Sequence, residues 1–374
     1  MSSVPKAVLY YSQISIWSSA VLLTLEEKGY GRDELGYKLV DLGKCASDLR
    51  LDTITDSSFL SAKGENYSLS FLRLNSKATV PTLIVPLRQT LSQDVESRYK
   101  ALTNTKDIVE FLDKSRSSLS STNTTSNAPA PTLAPATLSF SSTCKLIIED
   151  VLHSDNADPN HLLFMNARDQ VSLTQLADNL LPFMKGKISS LETNLTEAQA
   201  GTVRASEKVV DFWTSKKNVA QVLAGVYESA SKTETELDEN AKTRRLDYFK
   251  TAKTAWEVAL PTTLLKLTRE IIGPFALGEF KFVPDMRQSL NNIFINKKDS
   301  LADPHLTAWL ARVFSLVGGT SNDSGATVIE KLEKHIGDST TSKMESPTLG
   351  KLATYWDAVK ERPSFKKVYV DGLH

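Results

Sequence analysis

Cysteine is nearly missing from this chain. Its 374 residues hold two, Cys45 and Cys144. That excludes a disulfide framework, a CxxC redox pair and a four-cysteine zinc site. An excess of charge is missing as well, with 44 Lys and Arg against 44 Asp and Glu. A chain with no net charge has no broad basic field for nucleic acid or for an anionic membrane surface, so neither is expected as a partner. No run of about 18 apolar residues occurs, so no transmembrane helix is expected. The start, MSSVPKAVLYYSQISIWSSAVLL, has no basic stretch leading into a long apolar one. It does not read as a secretory signal, and a cytoplasmic chain is expected. The five histidines, His153, His161, His305, His335 and His374, form no HxxxH or HExxH pattern, so no metal is expected.

What is present is ordinary for a globular chain with a sizeable core, 41% hydrophobic and 24% charged residues. The length suits two domains. One composition shift stands out. Residues 115–142, SRSSLSSTNTTSNAPAPTLAPATLSFSS, are rich in Ser, Thr, Pro and Ala and nearly uncharged. Such a stretch buries too little apolar surface to offset its ordering entropy, so a linker or mobile loop is expected. The expected division is 1–115, a linker at 116–142, and 143–374 with an insertion at about 155–275.

The first part alternates in type. Ala7–Tyr11 (AVLYY) reads as a buried strand. Ser15–Lys28 reads as a helix, with Trp17, Val21, Leu22 and Leu25 at helical spacing and Gly29 at the C-cap. Tyr37–Leu42 reads as a second strand and Asn66–Leu74 as a second helix. The apolar run Thr79–Pro86 carries Pro81 just inside it, and Thr103–Leu112 reads as an amphipathic helix. This order makes a small α/β layer. The second part reads as helices at Thr143–Leu152, Val171–Leu191, Ala205–Ser231, Thr243–Leu260, Leu301–Leu316, Ala326–Ile336 and Leu349–Glu361.

Five strings then resemble one family in the right order. LYYSQISIWSSAVLLTLEEKG (Leu9–Gly29) resembles the first strand, turn and helix of the glutathione transferase superfamily. FLRLNSKATVPTLIV (Phe71–Val85) resembles its second helix, turn and cis-proline strand, and TNTKDIVEFLD (Thr103–Asp113) the helix that follows. DSLADPHLTAWLARV (Asp299–Val313) resembles the capping box opening the central helix of the helical domain, and ERPSFKKVY (Glu361–Tyr369) the closing segment. The long middle resembles fungal-type members with an enlarged helical domain. The resemblance implies an α/β plus all-α fold: a thioredoxin-like N-terminal domain followed by an enlarged all-helical C-terminal domain. It also implies glutathione as co-substrate, a small hydrophobic electrophile as the second substrate, and a homodimer.

The family's task is to hold glutathione with its sulfur ionised. A free thiol titrates near a pH of about 8.5, so lowering its pKa by two units takes about 2.7 kcal/mol. The resemblance places Ser15 as the hydroxyl that donates to the sulfur, at a helix N-terminus that also favours the thiolate. Ser15 reads equally as the N-cap of that helix. Tyr11 and Ser12 are the alternates for the catalytic hydroxyl. No cysteine lies in the turn, which disfavours disulfide exchange.

Pro81 is expected to follow a cis bond. That would let Val80 pair with the cysteinyl backbone of glutathione as a strand does. Asn104 and Thr105 match the pair that receives the γ-glutamyl group, and read equally as helix capping. By the resemblance, Thr79 replaces the common Lys of the turn and Asn104 loses the charge or reach of the usual residue, which favours weaker glutathione binding; alternatively the segment Leu87–Leu102 supplies a substitute such as Arg88 or Lys100. The alternative function is a non-catalytic transferase-fold protein binding a ligand or partner through the helical insertion. Ser300 and Asp303 read as a structural cap. Trp213, Tyr227, Tyr248, Phe249 and Trp256 are read as core, or as lining for a second substrate, and the charge run Lys232–Arg245 as a solvated face.

Overall fold

The β-branched and aromatic run at the N-terminus forms strand β1, Ala7–Tyr11, with Leu9 fully buried at its centre. Its neighbours are β2 (Leu35–Leu39), β3 (Thr82–Pro86) and β4 (Tyr99–Leu102). The strand order is β2-β1-β3-β4. β1 runs parallel to β2, with Leu9 opposite Tyr37, and antiparallel to β3, with Leu9 opposite Leu83. β3 and β4 are antiparallel, with Ile84 opposite Ala101. This is the thioredoxin-like sheet, and the other regular elements among the described residues are helical. The computed structural model describes residues 6–42, 64–87, 99–117, 126–277, 300–337 and 346–374. Cys45 and Arg88 lie outside the described residues.

The helices among the described residues are α1 (Ile16–Glu27), α2 (Leu69–Leu72), α3 (Thr105–Ser115), α4 (Leu138–Lys145), α5 (Pro159–Phe164), α6 (Gln170–Gln199) and α7 (Glu207–Glu228). They continue as α8 (Glu239–Lys253), α9 (Leu260–Glu270), α10 (Ala302–Leu316), α11 (Gly325–Ile336), α12 (Ser346–Lys360) and α13 (Pro363–Val368). π-helical turns occupy Leu146–Leu152 and Thr254–Ala259.

Several elements depart from the expected bounds. The expected helix 66–74 is a 3-10 turn, Glu65–Tyr67, followed by the single turn α2, because Ser68 caps α2 with its side chain on the Phe71 N–H. Leu138–Ser142 belongs to α4 rather than to an unstructured linker, since Thr137 caps it on the Phe140 N–H. α6 is longer than expected and keeps Pro182 inside it; a capping box of Asp169 and Ser172 opens it.

The described residues form two compact units that interleave along the chain. The first comprises 1–15, 35–103 and 160–255; the second 16–34, 104–159 and 256–374. In the first unit, Val40, Phe71 and Val80 form one small core with Tyr10 and Leu42 against it. A second core joins Tyr67, Leu72 and Ala78 to Leu191, Leu195 and Trp213. A third runs between α6, α7 and α8 through Leu173, Ala177, Leu180, Met184, Tyr227 and Tyr248.

In the second unit α10 is the central helix. Every residue from Ala302 to Phe314 is buried, as befits a helix that is apolar nearly all round. Asp303 and Thr307 are among its buried polar groups that find partners. Asp303 accepts from the Ser300 N–H at 2.6 Å, the Ser300 hydroxyl at 2.8 Å and the Ala276 N–H at 2.8 Å. Tyr355 donates to the Asp303 carbonyl at 3.0 Å and lies 2.8 Å from the Thr307 hydroxyl. Burial raises the Asp303 pKa, while these donors and the charge of Arg362 pull it back.

α1 ends in a left-handed Gly29 (φ 65°), with the Tyr30 N–H returning to the Leu25 carbonyl at 3.0 Å. A Cβ there would stand 2.6 Å from the Pro129 carbonyl oxygen. The residues before Gly29 anchor the end of the chain: Glu27 pairs with Arg362 and Ser364, and Glu26 with Lys367 at 2.5 Å. The EEK and ERPSFKK strings, far apart in sequence, therefore meet.

Candidate active site

The turn after β1 carries the expected catalytic hydroxyl. Tyr11 ends the strand half-buried, its carbonyl accepting from the Val40 N–H at 2.7 Å and its ring edge-on to Tyr37 at 6.2 Å. The chain then turns, with the Ser15 N–H donating to the Ser12 carbonyl at 3.1 Å. Ser12 is 5% exposed, whereas Ser15 is half-buried and directly precedes Ile16, the first residue of α1. The Ser15 hydroxyl points at the Val80 carbonyl oxygen, 3.4 Å away and 65 residues on. That is the outer limit of an O–H···O bond.

Val80 and Pro81 sit where β3 begins, both buried, and the peptide between them is cis. The turn before them is held by one side chain. Asn75 donates from Nδ2 to the Thr79 carbonyl at 2.8 Å, the Thr79 hydroxyl at 3.0 Å and the Thr82 hydroxyl at 3.0 Å, and accepts from the Lys77 N–H at 3.0 Å. Ala78 is left-handed (φ 55°), and its carbonyl accepts from Asn66 Nδ2 at 2.9 Å. Thr79, in the place of the family's usual cation, is exposed.

Ser15, Tyr11, Ser12, Val80 and Pro81 all belong to the first unit. Asn104 and Thr105 belong to the second. There Asn104 is the N-cap of α3, its side-chain oxygen accepting from the Lys106 N–H at 3.0 Å. Thr105 opens α3 and is 6% exposed. Lys100, a potential substitute cation, is exposed on β4 opposite Val85.

Histidines and aromatics are placed by packing. His153 closes the π-helical turn; its ring stacks on Trp17 at 3.9 Å, and its Nε2 lies 2.9 Å from His305 Nδ1 on α10. Burial lowers the His153 pKa to about 4, with Lys106 adding to the effect and Glu149 opposing it. Burial lowers His305 too, and its Nε2 has no partner among the described residues. Tyr227 and Tyr248 both donate to the Phe164 carbonyl, at 2.7 and 2.9 Å. Trp256 lies edge-on to His335 at 4.5 Å. Cys144 is buried, and burial with nearby Asp303 pushes its thiol up to about 12, which makes it inert.

The charge run Lys232–Arg245 is not wholly a solvated face. Arg245 is 7% exposed and donates to Gln170 Oε1 at 2.8 Å, the Lys232 carbonyl at 2.9 Å and the Ser229 carbonyl. A cavity of about 440 Å³ lies beside that turn, lined in part by Ala177, Leu181, Pro182 and Tyr227 and bordered by the Lys185–Glu228 ion pair.

No family model matches the chain, and no curated protein does either. Solved structures do. Glutathione transferase F7 from Populus trichocarpa is 14% identical, with 98% of each chain covered and a TM-score of 0.39. A glutathione S-transferase domain-containing protein from Marinobacter aquaeolei VT8 is 13% identical, with 96% of this chain and 99% of that one covered and a TM-score of 0.41. Human glutathione-S-transferase T1-1 is 13% identical, covering 97% and 88%, at 0.38. These alignments span nearly the whole chain, and the thioredoxin-like fold of the sheet rests on its own strand order and registers.

Proposed function

We propose that the protein binds glutathione along the start of β3 and lowers the pKa of its thiol with the Ser15 hydroxyl. The observation that carries this reading is the 3.4 Å approach of the Ser15 hydroxyl to the Val80 carbonyl. It brings a donor and the backbone of the residue before the cis proline, 65 residues apart in sequence, to one place. A cysteinyl backbone laid along Val80 would present its sulfur to that hydroxyl. The thiol proton would leave to solvent, and the Ser15 hydroxyl would donate a hydrogen bond to the thiolate that remains. The thiolate attacks a hydrophobic electrophile, the sulfur–carbon bond forms, and the leaving group departs with its electron pair. Tyr11 is the weaker alternate, its ring being packed on Tyr37. Ser12 is buried and weaker still. The reading includes a cytoplasmic homodimer.

The test is Ser15→Ala. Binding of glutathione, measured by calorimetry, is expected to persist. The thiolate absorbance near 240 nm at neutral pH is expected to fall by about threefold, as for a rise in thiol pKa from about 6.5 to about 7.5, with conjugation activity falling alongside. Equal activity and equal absorbance before and after would remove Ser15 from the role.

A second reading, a non-catalytic member of the same fold, is favoured by one observation. The Asn104 side-chain oxygen is spent on the Lys106 N–H, so this residue acts as a cap. No glutathione binding at several millimolar would select that reading.

A further inference from the structure

The long helical insertion is neither a free appendage nor the lining of a second-substrate pocket at Trp213. We infer that the α6–α7 hairpin is an internal brace for the segment leading into Pro81, and that Trp213 on α7 is its positioning residue. Trp213 is fully buried, and its indole N–H donates to the Tyr67 carbonyl at 2.9 Å. Leu191 and Leu195 of α6 pack with it against Tyr67, Leu72 and Ala78. Lys187 Nζ lies 5.8 Å from the centre of the Tyr67 ring. Gly64, left-handed at φ 52°, lets the segment approach so closely that a Cβ there would stand 2.5 Å from Ser190 Oγ.

From Tyr67 the effect has a short route to the site. The next residue back, Asn66, holds the Ala78 carbonyl at 2.9 Å, two residues before Val80. A carbonyl fixed by an indole N–H and an apolar face anchored by three buried side chains leave the 66–80 segment little freedom. A ligand that lays its backbone along Val80 then meets a strand start already in place, and little ordering entropy is lost on binding. The ligand part of this inference rests on the glutathione reading; the brace does not.

Trp213→Phe keeps an aromatic side chain but removes the N–H donor and part of the ring volume, and Leu191→Ala loosens the same contact from α6. Hydrogen exchange is followed in both, together with glutathione affinity, KM and kcat. The expected result is faster exchange confined to 66–83, with β1 and α10 unchanged. Glutathione Kd and KM rise by about fivefold, the change that matches loss of one ordinary hydrogen bond. The thiol pKa of bound glutathione and kcat stay as they were. Unchanged exchange over 66–83 in both variants overturns the brace. Exchange that rises equally throughout the first unit also overturns it, because Trp213 would then serve stability alone. A wild-type chain that binds no glutathione overturns the ligand half and the glutathione reading, while exchange confined to 66–83 still upholds the brace.

Discussion

An imidazole kept neutral by burial is a liability in acid, and among the described residues His305 is fully buried while His153 and His374 are half-buried. His153 and His305 share one hydrogen bond at 2.9 Å. His374 lies 2.7 Å from the Ser19 hydroxyl and packs on Tyr369. Burial lowers His153 and His374 to about 4 and His305 well below its usual range. The charged groups facing His153 are Lys106 and Glu149, and those facing His374 are Arg312 and Asp371. The sign follows directly. The native imidazoles stay neutral where the unfolded ones protonate, so the unfolded state binds more protons between about pH 6.5 and 4. Stability therefore falls as pH drops through that window, by up to about 1.4 kcal/mol per pH unit for each histidine. Denaturant midpoints taken from pH 7 down to 4.5 measure the slope. His153→Phe is expected to flatten it, and a slope that does not change would exclude His153 as a source.

At the scale of elements, the Ser/Thr/Pro stretch shows what polarity patterns miss. Its composition reads as a linker, yet its residues 126–134 are fastened by three ionic side chains at the C-terminal ends of α1 and α3. Lys28, fully buried, pairs with Asp113 at 2.8 Å and donates to the Pro131 carbonyl at 2.6 Å. Asp113 accepts the N–H groups of Leu133 and Ala134 at 2.8 and 3.1 Å. Arg116 donates to the Lys28 carbonyl at 2.7 Å and the Ala128 carbonyl at 2.8 Å. Removing one partner strands a buried charge, so Lys28→Met is expected to cost about 3–5 kcal/mol. The double variant with Asp113→Asn is expected to cost less than the sum of its parts, because no lone carboxylate remains. Chemical denaturation of the four proteins closes that cycle; additivity would mean the pair is not coupled.

The same pairing explains what could be read beforehand. β1, α1 with its Gly29 cap, the Val80–Pro81 strand start and the Ser300–Asp303 cap were legible, since each is specified within a dozen residues by periodicity, Gly, Pro or a capping side chain. Lys28 was not legible as a core residue, because charge ordinarily signals solvent and only its fold-level partner reverses that. Asn104 could be read two ways, and its hydrogen bond shows the cap.

For the whole molecule the decisive fact is interleaving. The chain passes between its two units at five points, so neither unit is one continuous piece. The sequence break at 115 marks composition, and Trp213 shows why composition is a poor guide to folding. A tryptophan in α7 completes a core begun by Tyr67 and Leu72, more than a hundred residues earlier, and no local pattern announces a contact at that separation. The fragment 1–115 therefore lacks Leu191, Leu195 and Trp213, and it leaves Tyr67, Leu72 and Ala78 without a cover. It also lacks Arg116 and the residues 126–134 that Arg116, Lys28 and Asp113 hold. Expressed alone, it is expected to show poor amide dispersion and a non-cooperative denaturant profile, whereas the full chain unfolds cooperatively. A well-dispersed spectrum from the fragment would mean that the thioredoxin-like sheet is complete without the insertion. The α6–α7 hairpin would then be dispensable to the fold. Loss of dispersion that returns when residues 160–255 are supplied as a second chain would show that the hairpin is part of the first unit's core.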